Sequence, residues 1–427
     1  MSKFLQRGIG TWMAVVVLIC AFGQTSLGYS VLTHEQIVDL LWTNQITPLL
    51  LQKYPGTSAE DLRIAHAYAY GGCLIQDMGY YPFGNRFFSD LVHYVRSGDF
   101  VTALIAEASD VNEYAFALGA LAHYAADIAG HPAVNSAVAQ EFPKLRKKYG
   151  REVTFEQDPR AHIRTEFGFD VVQVAKQRYT PESYHDFIGF QVSKPVLERA
   201  FLKTYGIELK DVFFNIDLAI GSFRRSISNV IPEMTRVALL LNKDKLVKEN
   251  PTLGRKKFLY NLKRADFERE WGKNYQKPGM GARIFAAMLK LLPKVGPFRA
   301  LAFKMPSPNS ETLYLKSVNA TVEQYRAYLQ DLAAQKLTLL NTDFDTGKPT
   351  RAGEYRLTDS AYGKLLDKLA DAKFAQIPDS LRRNILEFYE DPNAVISTKR
   401  NVEDWNKTLG NIQQLKSIAA EAPAGSR

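Results

Sequence analysis

Apolar positions along this chain recur at the three-to-four-residue spacing of helices over long stretches, while period-two alternation is scarce. The pattern predicts helices near residues 33–53, 59–77, 86–108, 111–130, 157–177, 181–204 and 211–245. The run from Tyr114 to Asp127 is made of good helix formers and contains no proline. Beyond the polar, lysine-rich stretch from Asn242 to Pro251, further helices are interrupted at Pro278, Pro293, Pro297, Pro306 and Pro308. No internal repeat or low-complexity block is visible, and the tail 421–427 is expected to be disordered. The expectation is an all-α protein, with a multi-helix domain over 29–245 and a mostly helical C-terminal region over 252–420.

The first 28 residues follow a different pattern. Lys3 and Arg7 precede an apolar run around Trp12-Met-Ala-Val-Val-Val-Leu-Ile-Cys-Ala-Phe22, and small residues follow at Ser26-Leu-Gly28. This is the layout of a secretory signal, too short and too early for a structural membrane span. Ile19 before Cys20 argues against lipidation, and an uncleaved anchor is the alternative to an exported protein. Cleavage after Gly28 leaves Tyr29 with a free α-amine, a group that titrates near about 7.7 and can coordinate a metal when neutral. Cys73 would then be the only mature cysteine, so no intrachain disulfide is available. A mature chain of about 400 residues buries an adequate core without one.

Chemistry concentrates in the histidines, of which there are seven. His123, Asp127 and His131 are spaced four apart on a predicted helix and share one face of it. By itself this row fits either a metal site or a packed core histidine with two solvated polar neighbours. His162 and Glu166 form a second pair at the same spacing, His34 lies just after the leader, and His93 follows Asp77 by sixteen residues. Histidine nitrogen and carboxylate oxygen without thiolate point to a catalytic rather than a structural zinc. His66 and His185 read as packed or surface histidines, and Asp90 is the substitute should Asp77 be only a turn residue.

Together, Tyr29, His34, Asp77, His93, His123, Asp127, His131, His162 and Glu166 resemble the zinc-dependent phospholipases C of bacteria and, more distantly, the fungal single-strand nucleases of the same superfamily. The resemblance covers residues 29–245 and implies an all-helical catalytic domain with about three zinc ions. It assigns one ion to Asp77, His93, His123 and Asp127, and a second to the Tyr29 terminus, His34 and the other oxygen of Asp127. The third goes to His131, His162 and Glu166. The leading residue is Tyr29 where the family usually has Trp, and the gap from Asp127 to His131 is shorter than in secreted lecithinases. The stretch from Gly72 to Gly84 is closer to the broader phospholipase C-like branch than to the nucleases.

The implied reaction is phosphodiester hydrolysis by a zinc-activated water, releasing diacylglycerol and a phosphorylated head group from a phospholipid. Asp77 is implied as either a ligand or the general base. A single-strand nuclease-like phosphodiesterase and a non-catalytic metal-binding helical protein are the other two readings. Residues 251–304 carry 13 Lys and Arg against 3 Asp and Glu, so the net charge of +9 is concentrated there. Within that region, 281–304 joins this charge to a long apolar run. It suits either packing onto the catalytic domain or contact with an anionic membrane surface. No motif accompanies the charge, which makes nucleic acid the weaker partner.

Overall fold

The computed structural model describes residues 30–176, 189–231, 235 and 304–421, and among these it is helical almost throughout. The leader, Tyr29, His185, residues 236–303 and the last six residues lie outside the described residues. Helix α1 (Val31–Leu41) passes through one π turn (Trp42–Ile46) into α2 (Thr47–Lys53). Ser58 and Asp61 form a capping box that starts α3 (Ala59–Gly72). A short 3-10 segment (Ile75–Tyr80) then carries Asp77.

The segment predicted as one helix over 86–108 is two, α4 (Arg86–Tyr94) and α5 (Ser97–Glu107). Arg96 between them is left-handed, with φ of 52°. Its guanidinium repays that strain through Asp99 at 2.7 Å, the Thr204 carbonyl at 2.8 Å and Ser380 Oγ at 3.0 Å. None of these contacts is visible to local periodicity.

Helix α6 (Val111–Glu141) starts at Asp110, whose carboxylate accepts from the backbone N–H groups of Asn112 and Glu113. It runs eleven residues past the predicted stop at 130, straight through Pro132. Proline removes one backbone hydrogen bond, to the carbonyl of Ile128. Burial of Val134, Ala137 and Val138 on the continuing face outweighs that single loss. Helices α7 (Pro143–Tyr149), α8 (Pro159–Ala175), α9 (Lys194–Tyr205) and α10 (Ile216–Arg225) follow.

Helix α6 is the central rod, packed against α1, α3, α5 and α8. Its crossing with α3 is backbone on backbone. A Cβ at Gly119 would fall on the carbonyl oxygen of Ala69, and one at Gly72 on that of Phe116. Those two glycines therefore fix how near the Asp77 segment comes to the face of α6.

The C-terminal region folds onto the same rod. Helix α11 (Pro308–Ala333) lies along α6, with the Tyr325 hydroxyl donating to the Leu118 carbonyl at 2.9 Å. A two-stranded hairpin follows, β1 (Thr342–Asp343) paired antiparallel with β2 (Lys348–Pro349). Helices α12 (Arg356–Asp371), α13 (Asp379–Phe388) and α14 (Val402–Glu421) complete the described chain. Buried residues from Val31 to Ile227 and from Tyr314 to Leu415 belong to one continuous hydrophobic cluster. Among the described residues no helix is long and apolar enough to cross a membrane.

Candidate metal centre

Five elements converge on one buried spot. Helix α1 brings His34, the 3-10 segment Asp77, α4 His93, and α6 the row His123, Asp127 and His131, while α8 adds His162 and Glu166. The eight side chains are buried, none more than 1% exposed. They fall into three groups whose donor atoms lie within 4.8 Å of one another: His34, His123 and Asp127; Asp77, His93 and His123; and His131, His162 and Glu166. Tyr29 precedes the first described residue, Ser30.

Asp127 is the hub. Its carboxylate oxygens lie 3.4 Å from His34 Nε2, 3.5 Å from His93 Nε2, 3.0 Å from His123 Nε2 and 3.4 Å from His131 Nε2. Asp77 approaches His93 Nε2 at 3.4 Å, and His162 Nδ1 lies 3.4 Å from Glu166 Oε1. Despite these distances, both oxygens of Asp77 and of Asp127, and the Nε2 atoms of His93, His123 and His131, have no aligned hydrogen bond among the described residues. Donors and acceptors this close and this buried would normally align. Here the donor atoms of each group instead lie within 4.8 Å of one another without bonding, an arrangement that suits a shared cation.

The outer nitrogens set the tautomers. His93 Nδ1 donates to the Ser89 carbonyl at 2.8 Å and His123 Nδ1 to the Cys73 carbonyl at 2.9 Å, which turns each Nε2 inward. His162 is turned the other way: Nε2 donates to the Val153 carbonyl at 2.5 Å and Nδ1 faces Glu166. The His34 ring stacks on that of His123, centroids 4.5 Å apart.

The charges agree with this geometry. Burial works against an imidazolium at His93, but the nearby Asp127 and Asp77 carboxylates carry it up to about 10. His131 likewise rises against burial to about 9, through Asp345 and Asp127. Burial holds His34 down to about 3, with His123 adding to the effect against Asp127, and burial lowers His162 to about 4. Burial raises Asp77 and Glu166, whereas at Asp127 the His123 and His131 rings overcome burial and hold it well below the usual carboxylate range. Metal-free, the cluster keeps protons where its donors converge, so positive charge belongs at its centre. The oxygen and nitrogen donors suit zinc.

The remaining candidates sit apart. His66 is buried, stacked on Trp42 with centroids 3.8 Å apart and bonded to Asp39 at 2.9 Å. Asp90 pairs with Arg86 at 3.5 Å and belongs to none of the three donor groups. Two residues of the site escape the sequence pattern. Asp170 pins the start of α1, accepting from Leu32 N–H at 2.9 Å and Thr33 Oγ1 at 2.6 Å. It continues the row His162–Glu166 by one more turn, a signal the spacing does contain. Asp345, from the hairpin, has its Oδ1 3.4 Å from His131 Nε2, and no local pattern marks it.

Residues 33–215 match the model of the family described as zinc dependent phospholipase C. No curated protein and no solved structure matches the chain. The match includes all eight described donors of the three groups and stops well before the hairpin. The match makes the segment from 33 to 215, less than half of the chain, similar to the zinc dependent phospholipase C family.

Proposed function

We propose that this protein is an exported zinc hydrolase that cleaves a phospholipid into diacylglycerol and a phosphorylated head group. The observation that carries the reading is three buried nitrogen and oxygen donor groups joined through His123 and Asp127, inside a segment matched by the zinc dependent phospholipase C family. Asp77, His93, His123 and Asp127 would hold one zinc, His34, Asp127 and the Tyr29 terminus a second, and His131, His162 and Glu166 a third. Bound zinc would supply an acidified water as nucleophile and neutralise the phosphoryl charge.

The chain's own part is placement and proton handling. His93 and His123 are held with Nε2 inward by backbone carbonyls, so the site is preorganised before the substrate arrives. Asp77 has two oxygens free of aligned bonds and is raised by burial, which suits it to accept the proton of the attacking water. Exclusion of bulk water strengthens every interaction with the phosphate. Export and cleavage after Gly28 belong to this reading, because only cleavage creates the Tyr29 amine.

The test is hydrolysis of phosphatidylcholine against single-stranded DNA, with chelated protein as control. Phosphatidylcholine turnover that is lost on chelation and restored by zinc is the expected result. Cleavage of DNA alone would overturn the lipid substrate in favour of a nuclease-like phosphodiesterase. Neither activity in zinc-replete protein would leave a metal-binding helical protein.

A further inference from the structure

The hairpin of the C-terminal region is built into the wall of the metal centre. Ser97 Oγ donates to the Thr342 carbonyl at 2.6 Å, and the Phe344 N–H donates to the carbonyl of His93 at 3.3 Å. The break after α4 is what leaves that carbonyl available. Asn135 Nδ2, on α6, donates to the Asp345 carbonyl at 2.9 Å. The hairpin is thus tied to α4 and α6, two of the helices that carry ligand candidates.

Asp345 is fully buried and its two oxygens have different surroundings. Oδ2 accepts the Tyr94 hydroxyl at 2.9 Å and the Tyr355 hydroxyl at 2.5 Å. Oδ1 has no hydrogen bond among the described residues and lies 3.4 Å from His131 Nε2, which is not aligned to it. Two hydroxyls fix one oxygen and thereby aim the other at the cluster. This is how an orienting shell holds a carboxylate ligand.

We propose that Asp345 Oδ1 is a further ligand of the ion served by His131, so that the centre is completed only by the region beyond the family match. The proposal rests on the zinc reading above. Charge supports it: three divalent ions would bring six positive charges against the three carboxylates of the donor groups, Asp77, Asp127 and Glu166. A fourth buried carboxylate lessens that imbalance in a site closed to water.

The test uses the full-length protein, stripped of metal and titrated with Zn2+ and, separately, with Co2+. Asp345→Asn keeps the volume and an oxygen for the two tyrosines but removes the charged ligand. It should bind one zinc equivalent at least ~100-fold more weakly, beyond the 10–100-fold typical of an orienting residue, and change the cobalt absorption bands. An unchanged zinc count with a superimposable cobalt spectrum would make Asp345 a structural anchor only and overturn the proposal. Should that variant not fold, Tyr355→Phe removes one orienting hydroxyl and leaves the carboxylate. It should weaken one equivalent about 10–100-fold. Lower stability of the metal-free form with an unmoved zinc titration would again overturn the ligand role. Wild-type protein that binds no zinc would overturn this proposal together with the zinc reading, whereas a wild type that loads fully beside unaffected variants overturns this one alone.

Discussion

Replacing Asp127 by Asn removes one charge from the hub of the cluster while keeping its volume, so the change is electrostatic rather than a cavity. In the metal-free protein near pH 7, His93 and His131 are both protonated, with values near 10 and 9. Their Nε2 atoms lie 3.5 Å and 3.4 Å from the carboxylate. At an effective dielectric of about 20, each such contact is worth about 5 kcal/mol before desolvation. The rings shed their protons rather than stay charged and unpaired. The net cost should therefore fall to about 3–5 kcal/mol, the range for removing one partner of a buried pair. In a zinc-loaded protein the loss would be larger in kind, because each ion assigned to Asp127 would lose an anionic ligand. Zinc content after gel filtration should drop to at most the one ion of His131, His162 and Glu166, with phosphatidylcholine turnover lost alongside. The assays are elemental analysis per chain and a melt of the metal-free variant against wild type at pH 7. A full zinc complement in Asp127→Asn, or a metal-free melt within about a degree of wild type, would refute the hub assignment.

Four more expectations follow from the same geometry. Zinc must displace the protons on His93 and His131, so its apparent affinity should rise with pH between about 7 and 9. Calorimetry in buffers of different ionisation enthalpy should detect the released protons, and identical heats in all buffers would contradict those protonation states. Because both histidines titrate higher folded than unfolded, the metal-free protein has this stabilisation in full below about pH 6.5 and loses it as pH rises through 9 to 10. Melts of chelated protein across pH 6–10 check the sign. His162→Ala should remove one zinc and spare the pair at Asp127, and loss of all zinc from this variant would mean the three groups load as one unit. Gly347→Ala should cost about 2 kcal/mol, since φ is +67° there and a Cβ would sit 2.8 Å from the Ile128 carbonyl; a melt unchanged from wild type would show that the hairpin tip packs elsewhere.

The helical class was legible from periodicity because each helix buries a face that its own sequence displays. Where boundaries moved, a contact distant in the chain was responsible. Arg96 ends α4 because Thr204 and Ser380 hold its guanidinium, and α6 passes Pro132 because its continuing face is buried. The row His123, Asp127 and His131 and the pair His162 and Glu166 were visible because four-residue spacing puts neighbours on one face before any tertiary contact forms.

What the sequence alone determined is therefore the set of candidate donors and the helices that carry them. Which donors meet was decided by the tertiary structure. Gly72 and Gly119 bring two backbones into contact and so draw the Asp77 segment towards the face of α6. His34, His93, His123 and His131 gather around one carboxylate only when three helices, α1, α4 and α6, pack together. Asp345 had no local signal at all, because its position depends on a hairpin anchored to Ser97, His93 and Asn135. Local spacing records which residues share a helix face, while convergence of separate faces is a property of packing, and the chemistry of this centre depends on that convergence.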